Sequence, residues 1–530
     1  MPSHPREGWP TSTAVAEKVQ AILASKGLTL YRASQQSIAL YGRSSPYFLP
    51  HNLYYDLRSG SFRPSVHQTF ALSRISGYRV ADWLRVFGFD LEDITRLQIL
   101  LPSKRTFVLE TSLTDPNQWI PWLRNRPLSE PIPSIAPLAR LLELGPRRRI
   151  ASVSQRDLHF LYAKVGGEDA FAFPDLVPGS VVRVNPAISA NLVTREDSIS
   201  DRLFLVEHSK GFCCCRIRSL GGGVIVPVNN GLSYAQVELH CPQEAKLWGA
   251  VDLEFRPLLR GVEPEVPEDL ARLWKPEALP AHEDFGQLLK RARRRMNLSV
   301  REATAKSRTI AEVLKDDRYT TSPSSLSDYE LRNTPPRDFH KIITLSSIYG
   351  LQFGSIMERM GIGVADAGTE SMPDRYLFRA EPTVTAKRGG AGILGTGFFE
   401  KVLEECQEIP LFLRDSLGYF SGSAHVSLED LFWVGSDQDP LHPYLANGLL
   451  VIVNRRRKTA FHFASKPVWR QPIYVVIKRD GTYLAACCGV ENATLVVYPY
   501  ARDFHRSAEY RLHRDAEIVG QIVAIMRRFP

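Results

Sequence analysis

The chain reads Leu298-Ser-Val-Arg-Glu-Ala303 and, after a polar stretch, Ser322-Pro-Ser-Ser-Leu-Ser-Asp-Tyr-Glu-Leu-Arg-Asn333. Ser322 is a favourable N-cap, and Pro323 suits the first position of a helix because its missing amide hydrogen would be unpaired there anyway. These two residues therefore predict a short helix that begins at Pro323.

The first turns of this predicted helix carry small or polar side chains. A helix inserted into a DNA groove touches base edges with such residues. The side chains that we expect to contact bases are Ser324, Ser325 and Asp328. We expect the buried side of the helix to consist of Leu326, Tyr329 and Leu331.

The surrounding pattern resembles the DNA-binding part of the lambda-repressor and Cro family, the XRE type. The matching positions are Leu298, Ser299, Ala303, Leu326, Ser327 and Glu330, followed by a loop with Pro335 and Pro336. The next amphipathic helix of the family corresponds to Phe339, Ile342, Ile343, Leu345 and Ile348. The chain departs from the family in one respect, since residues 308–321 predict a longer connection between the two helices.

A similar order of residues near the N-terminus indicates an internal duplication. Leu28, Ala33 and Ser37 parallel the stretch that begins at Leu298, and Tyr55-Asp-Leu-Arg58 parallels Tyr329-Glu-Leu-Arg332. The shift between the copies changes only from 270 (298 − 28) to 274 (329 − 55). The alternative is that the two stretches are unrelated helical bundles whose helices happen to be interrupted at similar positions.

In the first copy we expect a DNA-reading helix at residues 50–58. Its expected base contacts are His51, Asn52 and Tyr54, although these residues could equally be ordinary surface side chains. The resemblance also implies contacts with the phosphate backbone, for which arginine is well suited. The expected phosphate contacts are Arg32, Arg43, Arg58, Arg301, Arg308 and Arg332.

From Ile150 the apolar residues alternate with a period of two, which predicts short strands. The segment from Phe173 to Val184 resembles the Pro-x-Leu-x-x-Gly-Asp-x-Val-x-Val stretch of the LexA-like repressor peptidases. A similar stretch begins at Pro443. The resemblance therefore implies two small β domains of the LexA-like type.

The serine and lysine of these peptidases do not occur at the matching positions. Phe171 and Pro440 stand where the family has serine, and Arg216 and Ala486 stand where it has lysine. Arginine stays protonated at neutral pH and cannot act as a general base. We therefore predict no catalytic residues and no enzymatic activity, and we expect the β domains to serve dimerisation or ligand sensing.

The composition is that of an ordinary globular protein, with 530 residues, a net charge of +9 and a pI near 9.1. This charge is compatible with a polyanionic partner. No apolar run is long enough to span a membrane, and we expect a cytoplasmic protein. Seven cysteines, five of them in adjacent runs, predict buried packing in a reducing compartment, and we expect neither a cofactor nor a metal site.

We therefore predict a multidomain α + β fold in which two all-α lambda-repressor-like helix-turn-helix domains alternate with two small, mostly β LexA-like domains. The expected bounds are a disordered tail at 1–13, helix-turn-helix domains at 14–105 and 283–366, β domains at 149–262 and 401–530, and linkers at 106–148, 263–282 and 367–400.

The expected function is a sequence-specific, repressor-like transcriptional regulator whose partner is double-stranded DNA, with no membrane partner. A homodimer and a small-molecule or protein effector stay open at this point. Two alternatives also stay open: a self-cleaving LexA-like repressor, and an antitoxin-like scaffold whose helices bind another protein.

Overall fold

The computed structural model describes residues 12–60, 64–89, 91–110, 119–121, 160–173, 175–188, 198–228, 236–258, 283–363, 367–377, 392–394, 408–410, 430–434, 445, 449–460, 471–498 and 507–529. The chain is a mixed α + β protein, as predicted. It divides into a helical unit and a sheet unit. The helical unit comprises Met1–Leu101, Val108–Thr114 and Pro280–Val384, and the sheet unit comprises Pro102–Phe107, Asp115–Leu279 and Thr385–Pro530.

The first half of the helical unit contains the helices α1 (Ser12–Ser25), α2 (Leu30–Tyr41), α3 (Leu53–Ser59), α4 (Val66–Ser76), α5 (Val80–Val86) and α6 (Glu92–Leu100). Thr29 caps α2 by accepting a hydrogen bond from the Arg32 amide, as expected of an N-cap threonine. Gly77 ends α4 with a left-handed backbone, which glycine adopts without steric cost.

The second half of the helical unit follows the same order. Its helices are α7 (Phe285–Arg295), α8 (Val300–Leu314), α9 (Pro323–Leu331), α10 (Phe339–Tyr349) and α11 (Phe353–Arg359). Ser322 caps α9 and Pro323 is its first residue, so this prediction is confirmed. The connection between α8 and α9 differs from the prediction, because Arg308 to Leu314 continue α8 and a single 3-10 turn, Asp317–Tyr319, fills the remaining loop.

The two helical halves repeat individual hydrogen bonds. In the first half the buried Ser37 donates to the Ser34 carbonyl at 2.7 Å and accepts from the Leu49 amide at 3.0 Å. In the second half Ser307 donates to the Thr304 carbonyl at 2.7 Å and accepts from the Thr321 amide at 3.0 Å. Each serine thus fixes the turn that leads into the following short helix.

The helical halves also exchange segments. Residues after α5 bond to the second half, where the Gln98 side chain donates to the Ser346 carbonyl at 3.2 Å. Residues after α11 bond to the first half, where the Gly368 amide donates to the Ser73 hydroxyl at 3.0 Å. Ser73 and Ser346 are equivalent, since each hydroxyl donates at 2.6 Å to a carbonyl five residues on. Each half is therefore completed by a segment from the other.

The strands before residue 260 lie mostly in the sheet unit. They are β1 (Phe107–Val108), β2 (Trp119–Pro121), β3 (Leu161–Lys164), β4 (Val181–Asn185), β5 (Ser198–Ile199), β6 (Phe204–His208), β7 (Gly211–Gly221), β8 (Val224–Val228), β9 (Leu239–His240) and β10 (Ala245–Pro257). The long strand β10 pairs with both β4 and β6. The short strands predicted from Ile150 onward are confirmed at β4, β6, β7 and β8.

The later strands of the sheet unit repeat this arrangement. They are β11 (Gly392–Leu394), β12 (Glu408–Pro410), β13 (Leu431–Val434), β14 (Leu450–Asn454), β15 (Ile473–Lys478), β16 (Tyr483–Glu491), β17 (Thr494–Tyr498), β18 (Ala508–Arg511) and β19 (Ala516–Arg528). The long strand β19 pairs with β14 and β15, just as β10 pairs with β4 and β6. β10 and β19 also pair with each other, antiparallel, through Leu253 and Arg528.

Irregularities in the two long strands match as well. β10 shifts register against β6 between Leu247 and Gly249, and β19 shifts against β15 across Val519. A Cβ atom at Gly249 would lie 2.4 Å from the Asn185 carbonyl oxygen, and one at Gly520 would lie 2.5 Å from that of Asn454. Only glycine allows these approaches, so the same bulge occurs twice, 271 (520 − 249) residues apart.

Two predicted linkers contain ordered structure, and the one predicted at 106–148 includes β1 and β2. Gly392–Leu394 lie in the linker predicted at 367–400 and instead form a strand parallel to Leu431–Val434. Residues 367–377 of that linker bond to the first helical half. Residues 1–11 of the predicted disordered tail lie outside the described residues, as do Pro440 and Cys406.

The cores of the two units are apolar, and the cysteines contribute to them. Cys213, Cys214, Cys215, Cys487 and Cys488 are buried and carry free thiols, and burial raises the pKa of Cys487 and Cys488 to about 12. Within the described ranges, no group of side chains is arranged to hold a metal ion. Among the described helices none combines the length and apolar character needed to cross a membrane.

Candidate nucleic-acid interface

The short helix α9 is held at its start by local hydrogen bonds. The Ser322 hydroxyl accepts from the Ser325 amide at 3.1 Å, so one of the open amides of the first turn is satisfied. The preceding helix α8 starts with a capping box, in which Ser299 and Glu302 bond each other's backbone amides. Both helices that would form a reading motif thus have fixed N-terminal ends.

The buried side of α9 differs from the prediction. Leu326 is 1% exposed, as expected, and Tyr329 is half-buried, but Leu331 is 72% exposed. The second fully buried position is Glu330, one turn after Leu326 on the same face of the helix. The prediction for Leu331 was wrong because a buried carboxylate with a partner occupies the place expected of an apolar residue.

That partner is Arg293 on α7. The guanidinium donates two hydrogen bonds to the Glu330 carboxylate, at 2.7 and 2.8 Å, and a third to the Leu298 carbonyl at 2.9 Å. The helices approach closely here, since a Cβ atom at Gly286 would lie 2.7 Å from the Glu330 carbonyl oxygen. The ion pair therefore fixes α9 against α7, and among the described residues the opposite face of α9 is exposed or half-buried.

The three predicted base contacts on α9 lie at or near its surface. Ser324 is exposed, whereas Ser325 and Asp328 are half-buried. Both serine hydroxyls lie 2.9 Å from the Ser322 hydroxyl. Asp328 forms an ion pair with Arg332 at 3.3 Å, one turn later on the exposed side. Because Ser324 and Asp328 are four residues apart, they lie on one face of the helix.

In the first half the short helix begins later than predicted. α3 begins at Leu53, so His51 and Asn52 precede the helix instead of lying on it; Asn52 is the N-cap residue but makes no side-chain capping bond. Both residues are exposed. Tyr54 packs half-buried against the core of the first half, and the neighbouring Tyr55 is 70% exposed.

All six arginines predicted to contact phosphates are exposed. They are Arg32, Arg43 and Arg58 in the first half, and Arg301, Arg308 and Arg332 in the second half. Within residues 29–60 the first half carries only these three arginines and one acid, Asp56. Exposed arginines with few neighbouring acids are the groups that can pair with phosphates.

The structure adds exposed apolar side chains that the sequence did not single out. Within the described residues, four exposed large apolar side chains lie beside the predicted contacts: Tyr31, Leu40, Tyr55 and Leu331. Leu331 follows Asp328 by three residues and so extends the face of Ser324 and Asp328. Its apolar character alone suggested burial, and only the buried Glu330 would have revealed the true orientation of the helix.

In the sheet unit the positions expected for a peptidase nucleophile and base are structural. Phe171 is 4% exposed and packs in the core with Cys213 and Cys215. The Arg216 guanidinium pairs with Asp175 at 2.7 Å. In the second copy Ala486 is buried in an apolar cluster.

A small, partly open pocket lies in the sheet unit beside Phe171. Its lining residues are Arg105, Thr106, Glu168, Asp169, Phe171, His208, Lys210, Phe212 and Cys213. Burial raises the pKa of Asp169 from 3.8 to about 6, although hydrogen bonds from the Thr106 hydroxyl and the Cys214 amide favour the charged carboxylate. Asp169 is thus a buried carboxyl group of this pocket whose pKa is raised toward neutral pH.

This raised pKa predicts a pH dependence of stability. Between pH 3.8 and about 6 folded Asp169 keeps its proton whereas the unfolded chain loses it, so the free energy of unfolding falls as the pH rises. The total loss above pH 6 is about 3 kcal/mol for this shift. We expect Asp169→Asn, compared with wild type in denaturant titrations from pH 4 to 7, to remove this part of the decline. An unchanged slope in the variant would show that Asp169 does not titrate in this range.

No protein-family model matches the chain, and no curated protein is similar to it. The functional interpretation therefore depends on the geometry of these residues and on the sequence resemblances.

Proposed function

We propose that this protein is a sequence-specific, DNA-binding transcriptional regulator of the repressor type. In this proposal the helical halves are two lambda-repressor-like helix-turn-helix domains, and the halves of the sheet unit are LexA-like domains without peptidase activity. The sheet halves then serve dimerisation or ligand sensing. The partner is double-stranded DNA in the cytoplasm.

The observation that carries the proposal is the uncovered face of α9. Its polar residues Ser324 and Asp328 are presented because Leu326 and Glu330 are fixed to the core on the other side. Polar side chains of this kind can bond base edges in the major groove, whose pattern of donors and acceptors differs for every base pair. The exposed arginines nearby supply the charge that binding to phosphates requires.

The exchanged segments support a role for both halves together. Since Gln98 bonds to the second half and Gly368 to the first, the two candidate reading helices belong to one interlocked body. A regulator of this family type places two reading helices on successive half-sites. A single chain with two copies would act as a covalent pseudo-dimer on such a site.

Binding to DNA tests the proposal directly. The full chain is titrated into labelled duplexes from random genomic fragments and followed by gel shift. We expect it to slow the migration of the fragments at low salt and to keep binding a subset of them at moderate salt. No shift at any salt concentration would overturn the proposal. If binding to all fragments is lost at the same salt concentration, the protein binds phosphates without sequence preference.

Replacing Ser324, Ser325 and Asp328 together with alanine is expected to relax sequence preference while nonspecific binding is retained. Each good base contact contributes about 1–3 kcal/mol of discrimination, whereas the arginines that contact phosphates are retained. Selection from a random duplex library measures the preference of the variant and of wild type. The matched control is Thr309→Ala, an exposed hydroxyl on α8 outside the reading face. An unchanged consensus would exclude α9 as the reader.

A second candidate function is a scaffold that binds another protein through its helices. The exposed Tyr31, Leu40, Tyr55 and Leu331 favour it, because exposed apolar side chains often mark protein interfaces. The DNA titration above separates the two functions, since a protein-binding scaffold would give no retained fragments.

A further inference from the structure

The imidazole of His51 contacts Tyr31, Ser34 and, edge-on, Phe48 in the first helical half. It stacks on Tyr31 with 5.9 Å between ring centroids, and its Nδ1 lies 3.0 Å from the Ser34 hydroxyl oxygen. Ser34 is fully buried, whereas His51 is exposed. One edge of the ring is therefore fixed to the protein core.

The hydrogen bonds of Ser34 determine which nitrogen of His51 carries the proton. The Ser34 hydroxyl lies 2.8 Å from the Leu49 carbonyl oxygen, which can only accept. A serine hydroxyl has one hydrogen, so Ser34 donates it to Leu49 and has only acceptor capacity left for His51. Nδ1 of His51 must therefore be the donor, and the neutral ring carries an unprotonated Nε2.

Both backbone polar groups of Leu49 have partners in the first half. Its amide donates to the buried Ser37 hydroxyl at 3.0 Å, and its carbonyl accepts from Ser34. The buried carbonyl would lose its hydrogen bond if the Ser34 hydroxyl turned toward His51 instead. The orientation of the Ser34 hydroxyl, and with it the tautomer of His51, follows from the backbone.

We propose that His51 reads a base through Nε2 as a hydrogen-bond acceptor, an inference that rests on the proposed DNA-binding function. In the major groove the exocyclic amino groups of adenine (N6) and cytosine (N4) are the donors. The first half then requires adenine or cytosine at the base that His51 contacts. It rejects guanine and thymine there, because these bases present oxygen acceptors to the major groove.

The second half has no equivalent of this reader. Alignment by Leu49 and Thr321, whose amides donate to the turn-fixing serines, places Pro323 opposite His51, and the next residue is Ser324. A serine hydroxyl can both donate and accept, so it bonds either kind of base edge. The operator is therefore asymmetric, with one position in the first half-site that demands an amino donor.

Duplex selection with the full chain and base analogues tests this inference. Wild type and His51→Ala are each selected from a random duplex library, and the position whose preference the variant loses is identified. At that position adenine is replaced by purine, or cytosine by the pyrimidinone that lacks the 4-amino group. We expect this change to weaken binding of wild type on the order of 10- to 100-fold and to leave His51→Ala unaffected.

A matched control and an independent measurement keep the outcomes distinct. Gln35→Ala, an exposed residue on the same helix as Ser34, should retain the wild-type preference. Nitrogen NMR of ¹⁵N-histidine-labelled protein, with His51→Ala used to assign the signal, should show Nδ1 protonated in wild type and a mixture of tautomers in Ser34→Ala.

Each remaining outcome overturns a different statement. Duplex binding that is unaffected by the missing amino group excludes His51 as an acceptor while the proposed function stands. A preference for guanine at that position shows that Nε2 donates, which also contradicts the inference. Failure to bind any duplex removes the proposed function together with the base contact, whereas the tautomer of His51 is still decided by the NMR measurement.

Discussion

Replacing Glu330 with alanine is expected to lower the free energy of unfolding of the helical unit by about 3–5 kcal/mol. The Glu330 side chain is 4% exposed and that of Arg293 is 14% exposed, so alanine would leave a buried guanidinium without its carboxylate. Tyr349 would also lose a contact, because its hydroxyl lies 3.5 Å from the same carboxylate. Denaturant titration followed by helical circular dichroism measures the loss.

Two further variants separate the ion pair from other causes. Asp328→Ala breaks the neighbouring pair with Arg332, which is largely exposed, and should cost at most about 1 kcal/mol. The double variant Arg293→Met with Glu330→Leu removes both charges and should recover most of the lost stability. A small effect of Glu330→Ala would mean that Arg293 reaches water easily, and α9 would then not depend on this contact for its orientation.

Replacing the six exposed arginines with alanine is expected to abolish most of the salt dependence of DNA binding. Each phosphate contact contributes about 0.9 to the slope of log affinity against log salt, so loss of all six lowers the slope by about 5. Affinity at low salt should fall by several orders of magnitude because these contacts supply the nonspecific binding energy. Fluorescence anisotropy over a series of salt concentrations measures both quantities.

Triple variants locate the contribution of each half. Removing Arg32, Arg43 and Arg58 tests the first half, and removing the other three tests the second. If both halves contact DNA, each triple variant lowers the slope by about 3. The control is Arg359→Ala on α11, an exposed arginine of the same unit outside the proposed interface. If neither triple variant changes the slope of log affinity against log salt, DNA binds to another surface of the protein or is not a partner.

Local signals in the sequence predict the elements whose ends are decided by their own backbone. Ser322 and Pro323 mark the start of α9, and Thr29 marks that of α2, because capping depends only on residues within one turn. The alternating runs around Val181 and Ile473 likewise predict strands. These features need no knowledge of distant partners.

Features that depend on distant partners could not be predicted. Glu330 is buried only because Arg293, 37 residues earlier, supplies a matching guanidinium. The exposure of Leu331 follows from that pairing and so was missed with it. The pairing of β10 with β19 joins residues that are about 270 positions apart, and no local pattern in Leu253 or Arg528 indicates it.

The candidate site shows the same division. Exposure of the six arginines agrees with what their charge predicts, since charged side chains rarely lie in cores without partners. The exposure of Tyr31 and Tyr55 was harder to predict, because aromatic residues are buried in most contexts. Here the two side chains are 63% and 70% exposed. The protonation of His51 required the positions of Ser34 and Leu49, which no sequence pattern provides.

The exchange of segments between the helical halves has a consequence for divergence. In a dimer of identical chains every substitution appears on both subunits, so the two reading surfaces must stay the same. Here Ser73 and Ser346 keep equivalent bonds, whereas Tyr31 stands in one half where Arg301 stands in the other. Under the proposed function, a single polypeptide lets each half acquire its own base preference, while the contacts between the halves hold them together in fixed stoichiometry.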